Sequence, residues 1–152
     1  MKNLLLVEDD DNLAEVLTAL LNRYLPGLAV ITAENGLAAL KCLETRRVDL
    51  MVTDLQMPVM DGFELVKFRN REYPHLPLIA MTADLTPVVE TALRALGVKQ
   101  CLAKPFDIHR LVEAIAGELE DGENKSAYSG NRLREGKGET KPVIARQTTW
   151  VA

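Results

Sequence analysis

The chain alternates between two patterns of apolar residues as far as about residue 119. Runs that are apolar at nearly every position, at residues 4–7, 29–33, 50–52, 78–81 and 101–103, are each followed by a segment with apolar residues every three or four positions. The runs predict strands covered on both faces, and the spaced segments predict amphipathic helices. The alternation indicates an α/β domain, which right-handed crossovers would wind into a doubly wound parallel sheet.

We assign residues 1–119 to this domain and 120–152 to a polar linker or tail. From Gly117 onward the sequence is rich in Gly, Ser, Glu and Lys, with few apolar residues at a useful period. Residues 142–144 and 148–151 regain some β character. They could dock on the domain, pair with a second copy or belong to a larger architecture, and a mobile tail is the simplest interpretation.

Composition indicates which classes of partner are disfavoured and in which cellular compartment the protein is expected. The 152 residues carry a net charge of -4 and few aromatics, which disfavours direct binding to nucleic acid. No apolar run is long enough to span a membrane, and no signal peptide is apparent, so we expect a cytoplasmic protein. Cys42 and Cys101 have no metal-ligand spacing and are predicted to be small buried residues in a reducing compartment.

Five polar residues directly follow predicted strands: Glu8, Asp9, Asp54, Thr82 and Lys104. Because parallel strands end at one edge of a sheet, we expect these side chains to meet there. Crowded carboxylates repel one another unless a cation lies among them, and oxygen ligands without His or Cys favour Mg²⁺, with Mn²⁺ also compatible.

The predicted metal ligands are carboxylate oxygens of Asp9 and Asp54, the backbone carbonyl of Gln56, and waters held partly by Glu8. Asp54 is the candidate nucleophile toward phosphorus, because it precedes a loop in which Pro58 restricts the backbone and Gly62 permits a turn conformation.

Lys104 and the Thr82 hydroxyl would bind the phosphoryl oxygens. Taken singly, such residues are usually turn hydroxyls, solvated charges or helix caps, and Asp11 or Asn12 is predicted to cap the first helix. The five residues all follow strand ends, and this common position favours a shared phosphoryl-binding site over separate structural roles.

Four segments resemble the receiver domain of bacterial two-component response regulators. They are LLVEDD at 5–10, DLMVTDLQMPVMDG at 49–62, IAMTA at 79–83 and AKPF at 103–106. They occur in the family's order and cover nearly all of residues 1–119. The resemblance implies the flavodoxin-like strand order 2-1-3-4-5 and phosphorylation of Asp54 by a sensor histidine kinase or a histidine phosphotransfer protein.

By the same matching, Glu8 and Asp9 are the family's acidic pair, Thr82 is the switch hydroxyl and Lys104 contacts phosphate. Lys104–Pro105 would be a cis peptide. Residues Gln56 and Asp84 would tune how long the acyl phosphate lasts.

The sequence departs from the family at Cys101, where an aromatic switch residue is usual. We therefore expect Thr82 and the loop after the fourth strand to carry the phosphate-driven change. No DNA-binding or catalytic output pattern follows the last helix, which favours a receiver that signals by binding a protein partner, and a homodimer is left open. Such a receiver phosphorylates and dephosphorylates itself and is not a turnover enzyme.

Two alternatives remain. A phosphatase of the haloacid dehalogenase class also uses an Asp nucleophile, Mg²⁺, Thr and Lys. That class requires a second Asp as acid/base two residues after the nucleophile, where this chain has Gln56, which cannot transfer a proton. A pseudo-receiver would keep the fold and bind partners without phosphate.

Overall fold

The computed structural model describes residues 1–129 and 150–151, with side chains as far as residue 123. Its strands are β1 (Lys2–Val7), β2 (Leu28–Ala33), β3 (Leu50–Asp54), β4 (Leu78–Thr82), β5 (Gln100–Ala103) and β6 (Trp150–Val151). Its helices are α1 (Asp11–Tyr24), α2 (Gly36–Thr45), α3 (Gly62–Glu72), α4 (Pro87–Ala95) and α5 (Ile108–Ser129). No helix in the described part of the chain is long and apolar enough to cross a membrane.

The strands form one parallel sheet in the order β2-β1-β3-β4-β5-β6. The predicted flavodoxin-like order 2-1-3-4-5 is therefore confirmed. Helix α1, which follows β1, and helix α2, which precedes β3, pack on opposite faces of the sheet, so a crevice lies where β1 and β3 end. Val7 pairs with Thr53, which places the next residue of each strand, Glu8 and Asp54, side by side.

Alternate residues of each strand feed two separate cores. On one face, Leu5, Val7, Met51, Ala80 and Cys101 pack with buried residues of α2, α3 and α4. On the other face, Leu4, Leu6, Val52, Ile79 and Leu102 pack with α1 and α5. The central strands are apolar at successive positions because both of their faces are covered, as the continuous runs predicted.

Helix α1 is capped by Asp10, and the prediction of Asp11 or Asn12 was wrong. The Asp10 backbone is extended, and its side-chain Oδ1 accepts from the Leu13 backbone N–H at 3.1 Å. Asp11 is already the first helical residue, so its side chain cannot reach back to the orphan amide groups of the first turn.

Helix α5 continues to Ser129, about three turns beyond the end that composition indicated near residue 119. Glu, Lys and Ala are good helix formers, and they outweigh Gly122 over this stretch. An ion pair between Lys2 Nζ and Glu123 Oε1, at 3.6 Å, joins this part of the helix to β1. The two residues of β6 pair with Cys101 and Leu102 of β5, whereas the rest of the predicted tail, 130–149 and 152, lies outside the described residues.

Candidate functional site

Three carboxylates meet where β1 and β3 end. Glu8 and Asp9 follow β1, Asp54 is the last residue of β3, and one carboxylate oxygen from each lies within 4.8 Å of the others. Glu8 and Asp54 are buried, whereas Asp9 is exposed. The predicted acidic cluster is therefore present, with one side open to solvent.

Lys104, which follows β5, reaches across the crevice into this cluster. Its Nζ donates to Glu8 Oε2 and to Asp54 Oδ2, each at 2.6 Å. Charge-assisted hydrogen bonds of this length are strong, and the lysine is itself largely buried. With all groups ionised, three carboxylates and one ammonium leave the cluster a net charge of −3 + 1 = −2.

Burial and pairing shift two of these groups. Burial raises the pKa of the Glu8 carboxyl above its ordinary value, and the hydrogen bond from Lys104 only partly opposes that effect. Burial would lower the pKa of Lys104, but its hydrogen bonds to Asp54 and Glu8 outweigh burial and raise it. The lysine is consequently a permanent cation at neutral pH.

Two backbone amides orient the carboxylates, and the sequence patterns gave no sign of them. The Gln56 N–H donates to Asp54 Oδ1 at 3.0 Å, and the Asp10 N–H donates to Glu8 Oε1 at 3.2 Å. Every residue except proline has such a donor, so no pattern of side chains could have singled these out. They leave each buried carboxylate with a hydrogen bond at both oxygens.

Thr82 ends β4, directly after Met81, which pairs with Asp54, and it is buried. Its carbonyl accepts from the Lys104 N–H at 2.7 Å, and its hydroxyl oxygen accepts from the Asp84 N–H at 3.1 Å. The Lys104–Pro105 peptide, in the loop that carries the lysine, is cis. The loops after β4 and β5 are thus joined directly at the rim of the site.

The loop after Asp54 differs from its prediction. Gly62 begins α3, and a Cβ on it would lie 2.3 Å from the Asp54 carbonyl oxygen and 2.6 Å from Leu55 Cα. It is therefore required for close approach of α3 to β3. The left-handed conformation falls instead on Val59, at φ 71°, which is strained for a β-branched residue. Val59 is exposed.

Cys101 lies in β5, inside the core on the sheet face that packs on α4. Burial and then the neighbouring Glu90 charge raise the pKa of its thiol to about 12, so the thiol stays neutral. The predicted buried, apolar role is consistent with this environment.

The residues present suit a hard divalent cation. Oxygen is the only ligand type in the cluster, its excess charge of −2 matches that of a divalent ion, and exposed Asp9 leaves a side from which water can enter. Glu8, Asp9 and Asp54 come together at one edge of the sheet, whereas their roles as metal ligands stay a prediction. The Gln56 backbone N–H donates to Asp54 Oδ1, whereas the Gln56 carbonyl as a metal ligand stays a prediction.

Comparison with known proteins agrees with this fold. Residues 4–116 match the family model described as response regulator receiver domain. The chain is 34% identical over 144 residues to the transcriptional regulatory protein GlrR of Escherichia coli, covering 95% of this chain and 31% of that protein. It is 37% identical over 111 residues to the DNA-binding transcriptional regulator NtrC of Escherichia coli, covering 72% of this chain and 23% of that protein.

Solved structures of response regulator receiver proteins are similar in fold to this chain. The response regulator protein TrrA from Thermotoga maritima, determined in complex with Mg²⁺ and BeF, has a TM-score of 0.70 at 28% identity, covering 78% of this chain and all of that one (100%). A CheY-like receiver domain protein from Methanospirillum hungatei has a TM-score of 0.77 at 23% identity, covering 82% of this chain and 98% of that one, and supports the fold alone.

A parallel sheet in the flavodoxin-like order, with acidic residues and a lysine at its carboxyl edge, defines a receiver-type signalling domain. The chain belongs to the response regulator receiver domain family of two-component systems. It spans less than a third of the curated relatives named above.

Proposed function

We propose that this protein is a phosphoacceptor, in which Asp54 takes a phosphoryl group from a phosphohistidine of a sensor histidine kinase or a histidine phosphotransfer protein. The observation that carries the proposal is the excess of acid around one lysine. A structural ion pair needs one carboxylate for Lys104, whereas two are bonded to it and a third lies within 4.8 Å. That arrangement is costly for stability and suits a cation and a phosphoryl group.

In the proposed step, an oxygen of the Asp54 carboxylate forms a bond to phosphorus. The phosphorus–nitrogen bond of the donor breaks, its electron pair stays on the imidazole nitrogen, and the imidazole takes a proton from solvent. Lys104 Nζ, already 2.6 Å from Asp54 Oδ2, would donate to a phosphoryl oxygen. Thr82, whose hydroxyl accepts from Asp84, still has its own proton to donate to a second oxygen.

Asp9, Asp54 and the backbone carbonyl of Gln56 would hold Mg²⁺, or Mn²⁺, with waters held partly by Glu8, and the ion would neutralise charge on the phosphoryl group. We propose that Gln56 and Asp84 tune the lifetime of the acyl phosphate, because both follow a reacting residue by two positions and are exposed. Domain boundaries at 1–119 and 120–152 belong to the same proposal, as does a cytoplasmic location.

The direct test incubates the protein with phosphoramidate and Mg²⁺ and measures its intact mass. We expect a phosphoryl adduct on the wild type and on Asp11→Asn, an exposed carboxylate near the same rim, and none on Asp54→Asn or in excess chelator. Turnover of a small phosphate ester would favour the phosphatase alternative. Absence of any adduct would favour a partner-binding pseudo-receiver.

We propose further that Thr82 and the loop after β4 carry the phosphate-driven change to a protein partner or a second copy. The support is local: the Thr82 hydroxyl accepts from the first turn of that loop, while buried Cys101 replaces the usual aromatic residue. Beryllofluoride should protect the amides of residues 83–86 from hydrogen exchange in the wild type and not in Thr82→Ala. Equal protection in both would refute this route.

A further inference from the structure

The opposite, amino-terminal edge of the sheet contains a second pair of buried charged residues. The buried residues of α3 are Gly62, Leu65, Val66 and Arg69. The buried residues of α5 among those described are Leu111, Ala114, Ile115 and Glu118. Both sets have the i, i+3, i+4, i+7 spacing of a core-facing stripe, and in each the last position is ionic.

Arg69 and Glu118 face one cavity. Their helices lie on opposite faces of the sheet, and the cavity that both side chains line includes Leu78, the first residue of β4. The cavity has a volume of about 610 Å³, and its lining includes Arg69, Glu118, His75, Lys99, Pro74, Leu76 and Pro77. Its size is that of pockets which bind small molecules.

The two charges do not satisfy each other directly. Arg69 Nε is buried and has no hydrogen-bond partner among the described residues. The ion pairs of the described residues, all within 4.0 Å, do not include Arg69 with Glu118. Glu118 Oε1 accepts from Gln100 Nε2 at 3.0 Å. Burial lowers the pKa of the Arg69 guanidinium, and the Glu118 charge partly opposes that effect.

An orphan buried donor costs about 1–3 kcal/mol, more when it is charged. Arg69 Nε is closed to water-sized groups, so a ligand in the cavity would meet the guanidinium at its outer nitrogen atoms, with an acceptor there and a donor at the Glu118 carboxylate. Arginine binds carboxylates in a planar fork, and a carboxylate binds an ammonium group. The compact molecule that carries both groups is a free α-amino acid.

We propose that this cleft binds a zwitterionic α-amino acid, with its carboxylate on Arg69, its ammonium on Glu118, and its side chain along Pro74, Leu76 and Pro77. Lys99, exposed at the mouth, adds positive charge that attracts the carboxylate. The site lies at the end of the sheet opposite to Asp54, and it does not depend on the proposed phosphoacceptor function.

The test is an NMR titration of the full-length, ¹⁵N-labelled protein with each of the common free L-amino acids. Concentrations up to about 10 mM detect dissociation constants in the millimolar range. We expect at least one amino acid to shift the Arg69 side-chain Nε–H and the amides of residues 97–100. Its N-acetyl derivative, which lacks the ammonium, and its methyl ester, which lacks the carboxylate, should each bind at least about tenfold more weakly.

Variants separate binding from folding. Arg69→Leu and Glu118→Gln should each weaken binding at least about tenfold. Lys99→Ala, which alters an exposed residue, should weaken it less. Lys67→Met, on the exposed face of α3, is the matched control and should bind as the wild type does.

Three results would overturn the proposal: no amino acid binds, the N-acetyl derivative binds equally well, or Glu118→Gln keeps wild-type affinity. If no amino acid binds, water alone bridges the two charges. If the N-acetyl derivative binds equally well, the cleft is a site for anions only. Phosphorylation of Asp54 in Arg69→Leu and Glu118→Gln should be unchanged, which keeps this test separate from that of the proposed function.

Discussion

The two edges of the sheet bury ionic side chains in different ways. At the carboxyl edge, Lys104 bonds two carboxylates at 2.6 Å and backbone amides hold their other oxygens, yet the group keeps an excess negative charge. At the amino edge, Arg69 and Glu118 nearly balance in charge but have a cavity between them. The carboxyl edge has too little positive charge for its carboxylates. The amino edge has an empty space between its two charged groups. Each deficit indicates the kind of ligand that would complete it.

Removing the lysine of the carboxyl edge should have the greatest consequence. Lys104→Met should slow phosphorylation by phosphoramidate by about 10²–10³-fold, the cost of losing one preorganised donor at a site of developing charge. It should also tighten Mg²⁺ binding, because the cluster charge changes from −2 to −3. Calorimetry measures the affinity and intact mass the rate. Lys99→Met, at the amino edge, should change neither the phosphorylation rate nor the Mg²⁺ affinity. If the two variants slowed phosphorylation equally, the contrast between the edges would be contradicted.

Next in size is the contrast between two glycines. Gly62→Ala should lower the free energy of unfolding by about 1–3 kcal/mol or more, because the added Cβ meets backbone atoms that cannot move aside. Gly122→Ala, at the amino edge, meets nothing within 4 Å and should raise stability by up to about 1 kcal/mol through helix propensity. Urea denaturation measures both. If both variants changed the free energy of unfolding in the same direction, the backbone at the carboxyl edge would be no more closely packed than at the amino edge.

A double-mutant cycle probes the amino edge itself. Arg69→Leu and Glu118→Leu should each destabilise the protein, because each leaves one buried charge without its counter-charge. The double variant should lose less stability than the sum of the two single losses, with a coupling free energy of at least about 1 kcal/mol. Additive losses in urea denaturation would mean that the two charges do not interact across the cavity.

The weakest effect concerns Glu8 and pH. Its pKa is raised in the folded state, so ionised Glu8 destabilises the fold above that pKa, and the penalty disappears as pH falls through it toward 4.5. Glu8→Gln should therefore be more stable than the wild type at pH 7 in chelator, and the difference should shrink on acidification. Exposed Glu15→Gln is the control. Lys104, whose pKa is also raised, loses its contribution only at alkaline pH and does not affect this range. A difference that grew toward acid would contradict the sign.

Most of the fold could be predicted from the sequence, because burial on two faces requires continuous apolar strands and burial on one face requires helical spacing. The ends of the apolar runs likewise predicted that Glu8, Asp9, Asp54 and Lys104 lie at one edge of the sheet. The end of α5 was predicted too early, because composition alone does not distinguish a polar helix from a polar linker.

The order of the elements, and the residue types that gather at the carboxyl edge, follow from the sequence alone. What those residues contact depends on the packing of the whole chain: Lys104 crosses from β5 to Glu8 and Asp54, backbone amides lie behind the carboxylates, and the positive φ falls on Val59 instead of Gly62. Packing also brings Arg69 and Glu118, 49 positions apart and on opposite faces of the sheet, to one cavity. Local patterns record which face of an element is buried, whereas contacts between distant segments depend on how the elements pack.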